Sequence, residues 1–309
     1  MRMESTKALL PSSRTARSHD LEMLTEINLD DLVASFGWKN KPALARALRR
    51  TFTSPARKFA AQMLDFNDAV GHVGLVEAAR QAKRRYVRRV RLFSAPLPAG
   101  PFLALSNHPG AVDTLALFSA LNRTDLKIIA VDRPFLKSLS NVSERLFYVT
   151  DDPSARMSLV RQVSGHLRSG GAALTFPAGE IEPDPNVYPG AVESLQGWTD
   201  SVGVFLRMAP ETAILPVLVR GVLWDKTANH PLSYVKKARK ERETLAAAFQ
   251  FLIQILWDRK PLDVTVQVGK PITIAELGSK DTQVIHQTVL AEMQRLIENP
   301  PTGEGLSVL

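Results

Sequence analysis

The chain has 309 residues, of which 45% are hydrophobic, so it is long and apolar enough to bury a sizeable core. It contains no cysteine, which excludes disulfides, a thiolate nucleophile and zinc sites built from sulfur ligands. The net charge is +8 at pH 7, and residues 1–95 account for it with 18 lysines and arginines against 9 aspartates and glutamates.

The positive charge is densest around the start of the first predicted strand. Such a cluster favours an anionic partner, for example phospholipid headgroups, a phosphorylated carrier, an acidic protein or nucleic acid. The alternative is a solvated helix face without a partner. The cluster consists of Arg80, Lys83, Arg84, Arg85, Arg88, Arg89 and Arg91.

The N-terminal part of the chain has a helical pattern. Residues 1–20 are polar and basic without the apolar core of a secretory signal, and we predict a mobile tail there. For residues 21–86 we predict three or four short helices that form a cap on the main domain, with a membrane-surface position as the alternative. The expected interruptions are Gly37, Pro42, Pro55 and the Gly71–Gly74 region.

From about residue 87, strand and helix patterns alternate. This alternation predicts an α/β fold, a mixed sheet flanked by helices, over residues 87–300, followed by a C-terminal tail over 301–309. In such sheets, ligands bind beyond the carboxyl ends of the strands. Strands are predicted at 87–93, 102–106, 127–131, 146–150, 172–176, 214–219 and 264–268, and the clearest helices at 114–121 and 154–168.

His108 and Asp113 lie at one of these strand ends, where the apolar run 102–106 gives way to an amphipathic helix. Pro109 suits the first helical position, because its φ is fixed and its missing N–H would have no partner there. Asp113 would then lie about one turn into the helix, able to reach back to the imidazole. The pair fits a general base and the carboxylate that orients it, and the alternative is a structural histidine beside a proline.

A second unusual turn, Phe176-Pro177-Ala178-Gly179-Glu180, follows the strand at 172–176. A Pro-x-Gly turn lets the backbone approach a ligand closely, although it can also be only a tight turn. Further along, Pro216 interrupts an apolar strand. Because proline removes a ladder donor, it indicates an edge, a bulge or a strand end.

These blocks together resemble the glycerolipid acyltransferase superfamily, which includes the lysophosphatidic acid acyltransferases. The first family motif, His-x4-Asp, is matched by His108 to Asp113, with Asn107 just before it. The third motif, usually Phe-Pro-Glu-Gly-Thr, is matched by residues 176–180, and the fourth, an apolar strand with an internal proline, by Ile214-Leu215-Pro216-Val217. The resemblance covers roughly residues 87–275.

The resemblance implies acyl transfer from acyl-CoA or an acyl carrier protein thioester to a hydroxyl or amine of a lipid-like acceptor. The catalytic residues would be His108 and Asp113, without an acyl-enzyme, a metal or a cofactor. Donors to the developing oxyanion are expected among backbone N–H groups of the Gly110 and Gly179 turns. The implied substrate-binding residues are Asn107, Gly110, Phe176, Pro177, Gly179, Glu180 and Pro216.

The chain also departs from the family pattern. Ala178 replaces the glutamate of the third motif and Glu180 follows two places later, which resembles the bacterial hemolysin-type branch. The second family motif places an arginine after a strand, where it helps to hold the acceptor's phosphate. Here Asp151 and Asp152 follow the corresponding strand, so a glycerol-phosphate acceptor is not implied.

A long-chain acyl donor partitions into membranes. The resemblance therefore implies a cytoplasmic protein of phospholipid synthesis, attached peripherally to the anionic inner membrane face. Two other classes stay open, namely a thioesterase that uses the same dyad to activate water, and a non-enzymatic protein that binds anionic membranes through its arginines. No nucleic-acid motif is visible and aromatic residues make up only 7%, so no nucleic-acid partner is expected.

Overall fold

The computed structural model describes residues 13–110, 112–229, 239–257 and 262–308. The helices are α1 Ser13–Ser35, α2 Pro42–Lys83, α3 Asp113–Leu121, α4 Pro134–Lys137, α5 Ser140–Ser143, α6 Pro153–Arg168, α7 Ala191–Ser194, α8 Val202–Met208, α9 Asp225–Ala228, α10 Arg239–Trp257, α11 Ile274–Leu277 and α12 Thr282–Glu298. The strands are β1 Val87–Phe93, β2 Phe102–Ser106, β3 Lys127–Val131, β4 Leu146–Val149, β5 Ala172–Thr175, β6 Ala213–Arg220, β7 Leu262–Val268 and β8 Leu306–Ser307.

The chain divides into two compact units. The first comprises Met1–Asp65 and Arg133–Ser140, and the second Phe66–Asp132 and Asn141–Leu309. In the first unit α1 ends at Ser35, Gly37 just beyond it has a left-handed φ of 68°, and the Trp38 N–H bonds the carbonyl of Val33 at 3.1 Å.

The helical segment differs from its prediction. Residues 13–20, assigned above to a mobile tail, are the first turns of α1, and residues 1–12 lie outside the described residues. The segment forms three helical stretches, namely α1 and the two parts of α2, which is broken at Gly74 (φ 81°, ψ 165°). The expected interruptions at Gly37, Pro42 and the Gly71–Gly74 region are present, whereas the one at Pro55 is not. Pro55 lies inside α2, where buried Ala60 and Leu64 give the helix an apolar stripe whose burial compensates the lost hydrogen bond.

The second unit is an α/β fold with a mixed eight-stranded sheet, as predicted. The strand order is β4-β3-β5-β2-β6-β7-β1-β8. The five strands from β4 to β6 are mutually parallel, β7 is antiparallel to β6, and β1 is parallel to β7. The carboxyl ends of β5, β2 and β6 therefore lie side by side at one edge, and β2 is in the middle.

One core lies between the sheet and α6, α8 and α12. Leu103 and Leu105 of β2 and Ile214 and Leu218 of β6 face it, and the helices contribute apolar side chains that are fully or nearly fully buried. The strand predictions agree with the observed strands to within two residues, because their apolar runs are bounded by proline, glycine or charged residues. The helix side chains that meet β2 and β6 include Val163, Leu167, Phe205, Leu206, Val289 and Met293.

Lys83 and the C-terminal residues are bonded more closely to the rest of the chain than the sequence predicts. Lys83, counted above with the basic cluster, is fully buried and its ammonium donates to the carbonyl of Val308. The predicted C-terminal tail contains β8, which pairs with β1 at Arg91 and Leu92. Within the described ranges, no helix combines the length and apolar character that crossing a bilayer requires.

Candidate active site

The loop after β2 carries His108 out of the sheet. Asn107 fixes the start of this loop, because its side-chain amide donates to the carbonyl of Val219 at 2.9 Å and accepts from the Val219 N–H at 2.8 Å. The side chain thus continues the hydrogen-bond ladder between β2 and β6 beyond the last residue of β2. Both polar ends of Asn107 are occupied in this way, which gives it a positioning role in the loop.

His108 and Asp113 form the pair expected from the sequence. His108 Nδ1 lies 2.7 Å from Asp113 Oδ2, and Asp113 is completely buried whereas 27% of the His108 side chain is exposed. A carboxylate at this distance makes Nδ1 the protonated nitrogen and leaves Nε2 free to accept a proton. Asp113 also accepts from the Gly110 N–H at 3.2 Å and from the Thr114 hydroxyl at 3.0 Å.

Helix α3 agrees with the predicted range 114–121 to within one residue, but Pro109 does not occupy its first position. Asp113 is the first residue of α3, not a residue one turn inside it, and Pro109 lies in the loop. The backbone N–H and carbonyl of His108 both bond to Glu182, so the His108 carbonyl is not available to begin the helix. A carboxylate at the N-terminus of a helix is also favoured by the helix dipole.

Opposing effects set the proton affinity of His108. Burial lowers the pKa of the imidazole, whereas the charge of Asp113, its hydrogen bond and the charge of Glu182 raise it, and the net result is a raised pKa. His108 is therefore a stronger base than an isolated histidine, with its proton-accepting nitrogen held outward by a buried partner.

Glu182 is a site residue that the sequence pattern does not single out. It is 3% exposed, and its Oε2 accepts from the His108 N–H at 3.1 Å while its own N–H donates to the His108 carbonyl at 2.9 Å. Its Oε1 accepts from Trp198 Nε1 at 2.8 Å and from the Ser194 hydroxyl at 3.2 Å. Burial raises the pKa of Glu182 to about 7, although these hydrogen bonds act in the opposite direction.

Asp184, two residues later, supports the opposite side of the site. Its carboxylate accepts from the backbone N–H groups of Gly221, Val222 and Leu223 at 3.0, 2.6 and 2.9 Å, and from that of Asn186 at 3.0 Å. It holds the chain where β6 ends. The sequence signal for both residues is a pair of acids separated by one proline in the run Ile181-Glu182-Pro183-Asp184-Pro185.

The turn after β5 brings one predicted residue to the dyad. The Phe176 ring lies against the His108 ring with 4.7 Å between centroids and 36° between planes. Gly179 has a left-handed φ of 67° and closes the turn with an N–H bond to the Phe176 carbonyl at 3.0 Å. Pro177 is buried and its carbonyl accepts from the Thr199 N–H, whereas Glu180 is exposed at the tip of the turn.

Pro216 is buried inside the sheet and pairs with Leu105 of β2. On its other side, Val217 pairs with Val268 and Ile214 with Ile272, so the β7 side has one residue more than β6 over this interval. The chain opposite Pro216 is thus irregular just beyond the end of β7, beside a residue that supplies no ladder donor. Pro216 thus shapes the sheet beneath the loop of His108.

Oxyanion donors were expected among the N–H groups of the Gly110 and Gly179 turns, and the N–H groups of the two glycines themselves have partners in the chain. The Gly110 N–H donates to Asp113 and the Gly179 N–H to Phe176, so neither is available to a substrate in this conformation. Gly110 is itself needed for packing, because a Cβ there would approach Val222 Cγ1 to 3.3 Å.

A polar cleft of about 460 Å³ lies close to this network. One of its lining residues is Trp198, the indole that donates to Glu182. Among the described residues, no three histidine, aspartate or glutamate side chains converge as a set that could hold a metal ion. The cleft is lined by Trp198, Thr199, Asp200, Gln283, His286 and Gln287.

Comparisons with known proteins find similarity among solved structures. No protein-family model and no curated protein sequence matches the chain. Among solved structures, the chain is similar to the crystal structure of the 1-acyl-sn-glycerophosphate (LPA) acyltransferase, PlsC, from Thermotoga maritima. The alignment covers 93% of this chain and 100% of that chain, with 16% sequence identity and a TM-score of 0.44.

Proposed function

We propose that this chain is an acyltransferase that moves a fatty acyl group from an acyl thioester to a hydroxyl or amine of a lipid-like acceptor. The observation that carries the proposal is the 2.7 Å contact between His108 Nδ1 and the buried Asp113 at a strand end, which leaves Nε2 as a base. The third- and fourth-motif resemblances at residues 176–180 and 214–217 support it, and the Phe176 ring lies against His108.

In the proposed reaction, Nε2 of His108 takes the proton of the acceptor as its oxygen or nitrogen attacks the thioester carbon. The tetrahedral intermediate then collapses, the carbon–sulfur bond breaks, and the thiolate that leaves takes the proton from the imidazolium. Asp113 stabilises the imidazolium and keeps the ring in the productive tautomer. General base catalysis is typically worth on the order of 10² to 10⁴ in rate.

The proposal extends to the partners and the location. The acyl donor would be acyl-CoA or acyl carrier protein, and within the family Ala178 and Glu180 favour the bacterial hemolysin-type branch. A peripheral position on the cytoplasmic face of the inner membrane would give access to both long-chain substrates. Gly110, Gly179, Glu180, Phe176 and Pro177 stay part of the proposed substrate region, although the N–H groups of the two glycines are bonded within the protein. Asn107 and Pro216 would act on this region only by positioning the loop and the strand beneath it.

One observation favours a second candidate, a thioesterase. Asp152 occupies the region where the family places a phosphate-binding arginine, and its carboxylate caps α6 by accepting from the N–H groups of Ser154 and Ala155. This position is therefore committed to a helix end. Without a phosphate site for the acceptor, the same dyad could activate water.

The test is incubation of the purified chain with a labelled long-chain acyl-CoA or acyl carrier protein and separate lyso-lipid, amino-acid and sterol-like acceptors. Labelled ester or amide that depends on one acceptor supports the acyltransferase, and labelled free fatty acid with every acceptor supports the thioesterase. The His108→Ala variant should lose the product, and His72→Ala, at an exposed histidine on α2, should retain it. Near-normal product formation by His108→Ala would overturn the assignment of His108 as the base, and the absence of both labelled products with the wild-type chain would overturn both candidates.

A further inference from the structure

Part of the basic cluster lies on the same edge of the sheet as His108. Because β7 runs antiparallel to β6, the starts of β7 and β1 lie at the edge where β2 and β6 end. Arg220 pairs with Thr265, whereas Val87 pairs with Leu262, so β7 and β1 extend three residues, about 10 Å, beyond the end of β6. The start of β1 is three strand spacings, about 14 Å, from β2.

Positive charge predominates on this projecting end. Arg84, Arg85, Arg88 and Arg89 are exposed, and half-buried Arg91 pairs with Thr265, level with the end of β6. Among the described residues, one acid beside them is Asp263, which accepts from Arg88 at 2.9 and 2.5 Å. The hydrogen bond from Arg88 holds the pKa of Asp263 below its usual range against the effect of burial, and the charges of Arg88, Arg89 and Arg91 add to it. Several arginines therefore converge on a single carboxylate.

Large apolar side chains are exposed at the end of α10. Gln254 of α10 donates to the carbonyl of Tyr86 at 2.8 Å, which places the end of α10 against the turn that carries Arg84 and Arg85. Trp257, one helical turn after Gln254, is 64% exposed, and Leu256, round the helix from that contact, is 38% exposed. A tryptophan beside arginines is the combination that partitions into the headgroup region of a bilayer.

We propose that this surface docks the protein on a bilayer that contains anionic phospholipids, with Trp257 and Leu256 among the headgroups and the arginines on the lipid phosphates. The surface is defined by Arg84, Arg85, Arg88, Arg89, Arg91, Leu256 and Trp257. An acidic protein or a nucleic acid would need only the positive charges for binding. Exposed Leu256 and Trp257 fit a bilayer better, because its interior is apolar. The proposal rests on the proposed function only in that docking would bring His108 to the membrane that holds the lipid acceptor.

The experiment is a flotation assay of the full chain with phosphatidylcholine vesicles that do or do not contain phosphatidylglycerol. The wild-type chain should float with the anionic vesicles and remain unbound with phosphatidylcholine alone. Since a basic residue near such a surface contributes roughly a fivefold change in partitioning, the Arg84→Gln/Arg89→Gln double variant should lose about 25-fold. Trp257→Ser should lose binding without any change in charge.

The matched control is Arg161→Gln/Arg168→Gln, two exposed arginines of α6 with the same total charge change. This pair should alter partitioning less than about twofold, since charges away from a docking surface are screened over a Debye length. Equal losses in both pairs, or unchanged binding in Trp257→Ser, would overturn the proposal, as would a salt-sensitive nucleic-acid complex in place of vesicle binding.

The outcome is separable from that of the enzymatic proposal. His108→Ala should float like wild type, because His108 is not part of the docking surface. A short-chain, water-soluble acyl thioester supplied without vesicles should react equally with wild type and with the Arg84/Arg89 variant. Vesicle binding without any acyl transfer would support the docking surface and overturn the enzymatic proposal. Acyl transfer without vesicle binding would support the enzymatic proposal and overturn the docking surface.

Discussion

Glu182 and His108 are joined by two backbone-linked hydrogen bonds, one to each polar group of the His108 main chain. The carboxylate is buried, and Trp198 and Ser194 hold it from the other side. The loop that carries His108 is thereby held in place by a carboxyl group that titrates close to neutral pH, since burial raises the pKa of Glu182 to about 7.

Glu182→Gln should move the acid limb of the activity profile to lower pH. The charge of Glu182 is one of the causes that raise the pKa of His108, so its removal lowers that pKa and frees the base at more acidic pH. The measurement is kcat/KM against pH, with Glu304→Gln, at an exposed position, as the control. A loss of activity with no shift of the acid limb would reduce Glu182 to a purely structural support.

The same carboxyl should make the fold less stable as pH rises from about 4.5 to about 7. The folded state binds this proton more tightly than the unfolded chain, because the pKa rises from 4.5 to about 7 on folding. The contribution is therefore most favourable below that window and is lost across it, at roughly 1.4 kcal/mol per pKa unit. Denaturant unfolding of wild type and Glu182→Gln across this window should give curves that diverge, and parallel curves would contradict the prediction.

Asp113→Asn should lower kcat by about 10²- to 10⁴-fold while the fold remains intact. An amide can keep the ring in place but offers its NH₂ or a neutral oxygen to Nδ1, which favours the wrong tautomer and leaves the imidazolium without a counter-charge. Asp125→Asn, at a partly exposed partner of Arg123, is the control. Normal turnover by Asp113→Asn would mean that Asp113 serves only the start of α3.

Asn107→Ala should destabilise the protein and leave KM of the surviving folded enzyme nearly unchanged. The substitution leaves the buried N–H and carbonyl of Val219 without their partners, at a cost of about 1–3 kcal/mol for each group. The measurements are urea unfolding and steady-state kinetics below the new transition. A raised KM at unchanged stability would instead identify Asn107 as a substrate-binding residue.

Asp184→Asn should also destabilise the protein, by about 2–5 kcal/mol, because four backbone N–H groups share its two oxygens and an amide supplies only one. The segment just beyond β6 should loosen first. Thermal unfolding and amide exchange at residues 221–223 are the measurements. Asp125→Asn is again the comparison, and a Tm change no larger than in that variant would refute the predicted role.

The strands and the dyad could be predicted because their signals are local. Apolar runs bounded by breakers mark β2 and β5, and only four residues lie between His108 and Asp113. Glu182 could not be predicted in the same way, since its partner lies 74 residues away in the chain. The continuity of α2 through Pro55 was missed for a related reason, because proline is a local breaker whose cost is outweighed here by packing that a single sequence does not display.

The two-residue strand β8 protects the outer edge of β1. It pairs with Arg91 and Leu92, the Val308 N–H bonds the carbonyl of Val90, and the ammonium of Lys83 bonds the carbonyl of Val308. Proteolytic removal of residues 305–309 would expose a row of unpaired backbone groups on β1 and leave the buried ammonium of Lys83 without its partner. Exposed strand edges pair with other chains. Proteolysis of only a few residues would thus turn a well-behaved preparation into one that self-associates, and a purification tag belongs at the opposite terminus.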